Sequence, residues 1–435
     1  MGVKIAEIAD RIRSSFFFVP MLFVIAGVAL GELGVTLDQA VSDEHLPIRL
    51  TSTVESGRLV LSVVAAATIT FASIAFSVSL LTISLTSSQY SPRVVHSLFR
   101  DSFNKRVIGL VVGTFAYCLV VIRSVRGPLE AGGEPLVASL SVGLAVLLGL
   151  VAILSIVAFI NHSAHSMDIS KILHRITAET IRQARRLWIE PEAAPAAGDG
   201  RIGSAPKGDG FTITFGVDGW IQQLNEAALL DAAPENATVR IETRVGRYAM
   251  ARAPLCTIWP DPADPEEAVH IARAAVSIGE ARNMQQDVTY GIRQLADIAL
   301  KALSPGVNDP TTAQDALFHL GSAVSELLRL QPPGPELAFS EDRILLDPHR
   351  VTHEDIIEMA FDEVRIAARD QPTVQIYLLE VLAAIRGSLE GVEPGTHRGL
   401  LQRHADLVLE TSRSGSTLPA DASRVQDSYD RRFGS

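Results

Sequence analysis

Hydrophobic and polar positions divide this chain near residue 161. Before that point the apolar residues fall into four nearly uninterrupted runs, about 15–31, 59–87, 107–122 and 136–160. Each is close to the length a helix needs to cross a bilayer. Beyond it, apolar residues return at helical or strand spacing among ordinary numbers of charges. Ile169, Ile172, Leu173, Ile176 and Ile181 predict that the fourth run continues as a helix through 162–189. Residues 190–210 are Ala/Pro/Gly-rich and read as a flexible loop. A small β-rich unit over 211–260 should hold strands at 211–217, 238–243, 247–251 and 255–258 and a short helix at 223–230. A helical module over 261–412 should contain helices at 265–283, 286–303, 311–330, 352–369, 373–390 and 396–412. The Ser/Asp/Arg-rich tail, 413–435, is expected to be disordered. The fold class is therefore mainly α: a four-span transmembrane helical domain (1–161), then a cytoplasmic α+β domain.

The second run is the unusual one. No Asp, Glu, Lys, Arg or His occurs from Leu59 to Pro92, yet the segment is crowded with hydroxyls. At 100° per residue, Thr70, Ser73, Ser77, Ser84 and Ser88 share one stripe of a helix. Thr68, Ser79, Thr82, Thr86 and Gln89 share a second stripe, roughly opposite. A lone helix in lipid gains nothing from two polar faces. The pattern places this span inside a bundle or homo-oligomer, its hydroxyls either lining a wet path or allowing close packing by bonding back to helix carbonyls. The near-absence of charge favours a neutral path over a proton relay.

Composition adds compartment and orientation. The chain has 435 residues, 47% of them hydrophobic, and a net charge of −11, which argues against a nucleic-acid partner. Cys118 and Cys256 alone build neither a disulfide framework nor a cysteine metal site. Lys4, Arg11 and Arg13 precede the first apolar run without a convincing cleavage site after it, as in a retained signal anchor. These residues, the basic 93–106 loop and the Lys/Arg-rich segment after His162 fall on one side, so both termini should be cytoplasmic in a bacterial inner membrane.

Candidate chemistry is sparse. Tyr90-Ser-Pro-Arg93 ends the second span, where Arg93 would meet lipid headgroups or form a gate. His162 and His165 lie one turn apart at a span end, which makes them weak metal candidates or simple polar anchors. Asp287, Arg293, Asp297, Asn308 and Asp309 form a polar cluster in the helical module. It reads as a helix–turn–helix corner, with Asp309 as N-cap and Pro310 at the first helical position, or as a pocket for a small cytoplasmic ligand. No nucleophile–base arrangement, phosphate loop or zinc signature appears, so no enzyme and no cofactor are expected.

Ser87-Ser-Gln-Tyr-Ser-Pro-Arg93, with Phe76-Ser77, Gly113-Thr-Phe-Ala-Tyr-Cys118 and Phe159-Ile-Asn-His162, resembles a bacterial family of predicted membrane proteins, domain of unknown function 2254. The run from Tyr290 to Ala313, with Ser304-Pro-Gly-Val-Asn-Asp-Pro310 inside it, resembles the same family's cytoplasmic hallmark. The resemblance spans residues 10–410 and implies four spans and a cytoplasmic module. It assigns no catalytic residue. Residues 246–258 resemble a family segment akin to half of a lipoyl-type β-barrel, but no lysine stands at its turn for a cofactor. The expected function is an oligomeric channel or channel-like transporter lined by the second span. A membrane-anchored sensing or scaffold protein is the alternative.

Overall fold

The computed structural model describes residues 17–40, 53–89, 102–125, 139–166, 168–189, 206, 208–334, 336–338, 343–391, 396–415 and 418–434. The chain forms two compact units, divided after Asp168.

The first unit holds four long helices, α1 (Phe18–Ala40), α2 (Val54–Gln89), α3 (Ser102–Ser124) and α4 (Ser139–Ser166). All four are long and apolar enough to cross a membrane. All four outrun the apolar limits read from sequence, α4 by running on to Ser166. α1 continues past Gly31 to Ala40, α2 begins at Val54 rather than Leu59, and α3 begins at Ser102, taking in Lys105 and Arg106. Polar residues end an apolar run, but they do not end a helix. Pro20 sits in the first turn of α1, where its missing donor costs nothing.

α1 packs on α3 through glycines. A Cβ at Gly27 would lie 2.2 Å from the Gly113 carbonyl oxygen, and one at Gly113 would lie 2.6 Å from the Phe23 carbonyl oxygen. In lipid no solvent drives helices together, so small residues that let backbones approach supply the dispersion contact instead. Leu61, Ala65, Ala72 and Ala75 of α2 complete the interior with Ile108, Tyr117 and Val121 of α3 and Ala145, Ala152 and Phe159 of α4.

The second unit opens with α5 (Ile169–Leu187), a separate helix beginning after α4 ends at Ser166. Its strands are β1 (Phe211–Thr214), β2 (Gly219–Leu224), β3 (Thr238–Ile241), β4 (Tyr248–Ala249), β5 (Pro254–Trp259), β6 (Val276–Gly279), β7 (Glu336–Ala338) and β8 (Ile344–Leu346). They form a five-stranded sheet in the order β1-β5-β3-β8-β7 and a three-stranded sheet in the order β4-β2-β6. β3 and β8 pair parallel, with Val239 opposite Leu345; the other pairs are antiparallel. Two short helices accompany the sheets, α6 (Glu226–Leu230) and α7 (Pro265–Ala274). The helical part comprises α8 (Val288–Ala302), α9 (Pro310–Arg329), α10 (His353–Ala367), α11 (Pro372–Ser388), α12 (Thr396–Gly415) and α13 (Pro419–Phe433).

Several sequence expectations are corrected here. The helix expected over 265–283 stops at Ala274, and Val276–Gly279 is a strand, because β-branched Val276 and Ile278 alternate onto β2. The helix expected from Gln223 begins at Glu226; Gln223 and Leu224 belong to β2, and Asn225 is the N-cap, accepting from the Ala228 amide. Strands β7 and β8 had no counterpart in the sequence reading. The tail expected to be disordered carries α13. Pro419 opens that helix, Arg431 and Arg432 close it, and Val425, Ser428 and Phe433 are buried. Arg386 of α11 lies 4.4 Å over the Phe433 ring, so tertiary contacts overrule a polar composition.

Candidate functional site

The two hydroxyl stripes of α2 have different surroundings. On the second stripe Thr68 is 1% exposed and Ser79 and Thr82 are half-buried within the bundle. On the first stripe Thr70, Ser73, Ser77 and Ser84 are all exposed, uncovered by the other three helices among the described residues. Periodicity alone could not separate them. Apolar neighbours decide which face turns inward, and Leu61, Ala65, Ala72 and Ala75 share the face of Thr68.

Hydroxyls on both stripes bond back to their own helix. Thr68 donates to the Val64 carbonyl (2.8 Å), Thr70 to Ala66 (2.8 Å), Ser77 to Ser73 (2.9 Å) and Thr82 to Val78 (2.9 Å). Among the described residues the Ser79 hydroxyl oxygen is buried without a hydrogen-bond partner. The Thr86, Ser88 and Gln89 side chains, and Tyr90 and Arg93 entirely, lie outside the described residues.

One end of the bundle is fastened by side chains that lie outside the four apolar runs. Asp38 is buried and accepts from the Leu140 amide (2.8 Å), the Ser141 amide (3.1 Å) and the Ser141 hydroxyl (2.5 Å), capping α4 from α1. Arg58 donates through Nε and Nη2 to the Val125 carbonyl at the end of α3 (3.1 and 2.8 Å). The usable signal was helical spacing: Gly27, Gly31, Val35 and Asp38 form a single buried row on α1.

His162 lies against Phe103 with ring centroids 4.8 Å apart and planes tilted by 53°, and His165 Nδ1 lies 2.8 Å from the Asn161 carbonyl oxygen. Among the described residues no three His, Cys, Asp or Glu side chains are grouped as a metal would require.

In the second unit the expected polar cluster is divided among three places. Asp287 is buried, caps α8 through the Tyr290 amide (3.2 Å), and accepts from Thr289 Oγ1 (2.5 Å) and from Arg282 Nε and Nη2 (3.0 and 2.6 Å). Arg282, missed in the sequence, also lies over the Trp220 and Tyr290 rings at 5.8 and 5.1 Å. Arg293 pairs with Asp297 one turn on (2.7 Å) and with Glu363 of α10. Bonding to Glu363 raises its guanidinium pKa above the ordinary value. Asn308 adopts φ +48° and accepts from Gln371 (3.0 Å), while Asp309 caps α9. Hydrogen bonds from Thr312 and Thr311 hold the Asp309 carboxyl below the usual range. Gly291, within the same family-like run, faces Thr180 of α5 so closely that a Cβ would lie 1.8 Å from its hydroxyl.

Asp287 also borders a cavity of about 600 Å³ lined only by the second unit, among them Trp188, Gln223, Glu226, Arg244, Asp347 and Arg350. Arg350 donates to Glu226 (2.8 Å) and stands 3.4 Å from Asp347. Burial pushes the Asp347 carboxyl pKa up, the sign of a poorly hydrated wall.

Against known proteins, the model of a family described as predicted membrane protein (DUF2254) matches residues 13–384. Among curated proteins the chain is similar to uncharacterized protein Rv1290c of Mycobacterium tuberculosis and uncharacterized protein Mb1321c of Mycobacterium bovis. Each is 27% identical over 415 residues, covering 93% of this chain and 78% of the relative. No solved structure matches significantly.

Proposed function

We propose a function for a chain that belongs to the predicted membrane protein family DUF2254: an oligomeric channel or channel-like transporter of the bacterial inner membrane. In this reading several copies turn the first hydroxyl stripe of α2 toward a shared axis, and the cytoplasmic unit regulates the opening. Both termini are cytoplasmic, the partners are lipid and further copies of the chain rather than nucleic acid, and the protein is not an enzyme.

The observation that supports it is the exposure of Thr70, Ser73, Ser77 and Ser84 on a span whose other hydroxyl stripe is buried at Thr68 and half-buried at Ser79 and Thr82. Lipid offers such a face nothing, whereas a second copy or a column of water does. Ser77→Leu with Ser84→Leu tests the reading in proteoliposomes. Flux of small solutes should fall several-fold while the assembly keeps its mass in native lipid. Unchanged flux with intact assembly rejects the stripe as a pore wall.

A second reading, a membrane-anchored sensor or scaffold, has its own support: Thr70 and Ser77 already satisfy their hydroxyls on helix carbonyls and need no water. There the double substitution should break the assembly instead.

A further inference from the structure

The wall of the 600 Å³ cavity of the second unit carries three carboxylates and two arginines, and all but one of these charges has a close partner. Each acidic group on its wall has a cation: Asp287 is held by Arg282, and Glu226 and Asp347 by Arg350. Arg244 is the exception. Its side chain is only 23% exposed, it makes no hydrogen bond among the described residues, and its one ionic neighbour, Asp355, is 4.0 Å away. Asp355 is moreover engaged at the N-terminus of α10, where its Oδ2 accepts from the Thr352 amide (2.8 Å) and hydroxyl (2.7 Å). The neighbouring Arg350 is already engaged, its Nε facing Asp347 at 3.4 Å and its Nη2 bonded to Glu226 at 2.8 Å. A half-buried guanidinium without a hydrogen-bonded anion is costly to maintain. The rest of the wall mixes apolar side chains, Trp188, Val245, Val288 and Val351 among them, with the neutral amides of Gln223, Asn225 and Gln286, and the size falls in the range of small-molecule sites.

We propose that this cavity binds a small molecule carrying a carboxylate or phosphate on an apolar or aromatic body, with Arg244 taking the anionic group and the Trp188 side of the cavity taking the body. The site gives the regulatory unit a ligand class. It does not depend on transport, because binding is read without flux.

The full chain, purified in detergent, is titrated calorimetrically with benzoate, phenyl phosphate, inorganic phosphate and benzyl alcohol. At least one aromatic anion should bind tenfold or more tightly than inorganic phosphate, which lacks the body, and than benzyl alcohol, which lacks the charge. Which of the two binds identifies the anionic group. Arg244→Gln should weaken that binding at least tenfold, and Arg244→Lys less. Ala227→Trp, on the exposed face of α6 at the cavity wall, should abolish binding with no change of charge. All variants are compared at unchanged unliganded melting temperature. Millimolar benzoate and phenyl phosphate both failing to bind the wild type would overturn the proposal. So would equal binding by Arg244→Gln, or inorganic phosphate binding as tightly as phenyl phosphate.

Discussion

Two residues show how much rests on single side chains in the second unit. Asp287 ties together the start of α8, Arg282 and the cavity wall, and its removal leaves a guanidinium 17% exposed beside two aromatic rings. Truncating one partner of a buried pair costs about 3–5 kcal/mol. Asp287→Ala should therefore lower the melting temperature of the purified protein by many degrees, whereas Asp297→Ala, whose partner Arg293 keeps Glu363, should lower it much less. Gly291 makes the opposite point, a position where an added methyl is the problem. Gly291→Ala drives a Cβ into Thr180 and should destabilise by about 1–3 kcal/mol. Thr180→Ala, which removes the hydroxyl in the way, should restore part of the loss in a thermal melt.

At the scale of elements, α1 and α3 depend on a glycine seam. Gly113→Leu should abolish the accumulation of folded protein in the membrane, because the Phe23 carbonyl cannot retreat from a side chain 2.6 Å away. Ala66→Leu, on the exposed face of α2, should be harmless to the single subunit and disturb only contacts between copies. The spans themselves were legible because twenty apolar residues in a row have few other uses. Caps such as Asp309-Pro310 were legible because a cap is local chemistry. What escaped was decided by distant partners. α13 exists because Phe433 finds Arg386, β6 because Ile278 finds β2, and the inward side of α2 because Ala72 and Ala75 meet neighbouring helices. The cavity was invisible for the same reason: Trp188, Arg244 and Arg350 come together from segments far apart in the chain.

For the whole molecule, pH and insertion give the clearest readouts. Burial lowers the pKa of His319, His353 and His404 below 6.5. His353 donates from Nε2 to the Leu330 carbonyl (2.9 Å), which leaves Nδ1 to accept from His397 (2.8 Å) and leaves no site for a second proton. As pH falls through 6.5 the unfolded chain takes up protons that the folded unit refuses, so stability present at neutral pH is lost downward. Asp347 has the opposite sign, confined to the range between 3.8 and its raised value. Melts of the intact protein between pH 7.5 and 5.5 should show a falling midpoint, and His404→Gln should flatten the slope. A reporter fused after Ser435 should read cytoplasmic; a periplasmic signal would reverse the orientation. The glycine seam also sets a timetable for synthesis. The groove on α1 is translated first, and its mate on α3 follows roughly 86 residues later, on the order of 4–17 s at ribosomal speed. Throughout that interval the first helix waits in the bilayer with Gly27 and Gly31 facing lipid or the insertion machinery. A nascent chain stalled before Gly113 should crosslink to those surroundings from position 27, and a chain released beyond α3 should not.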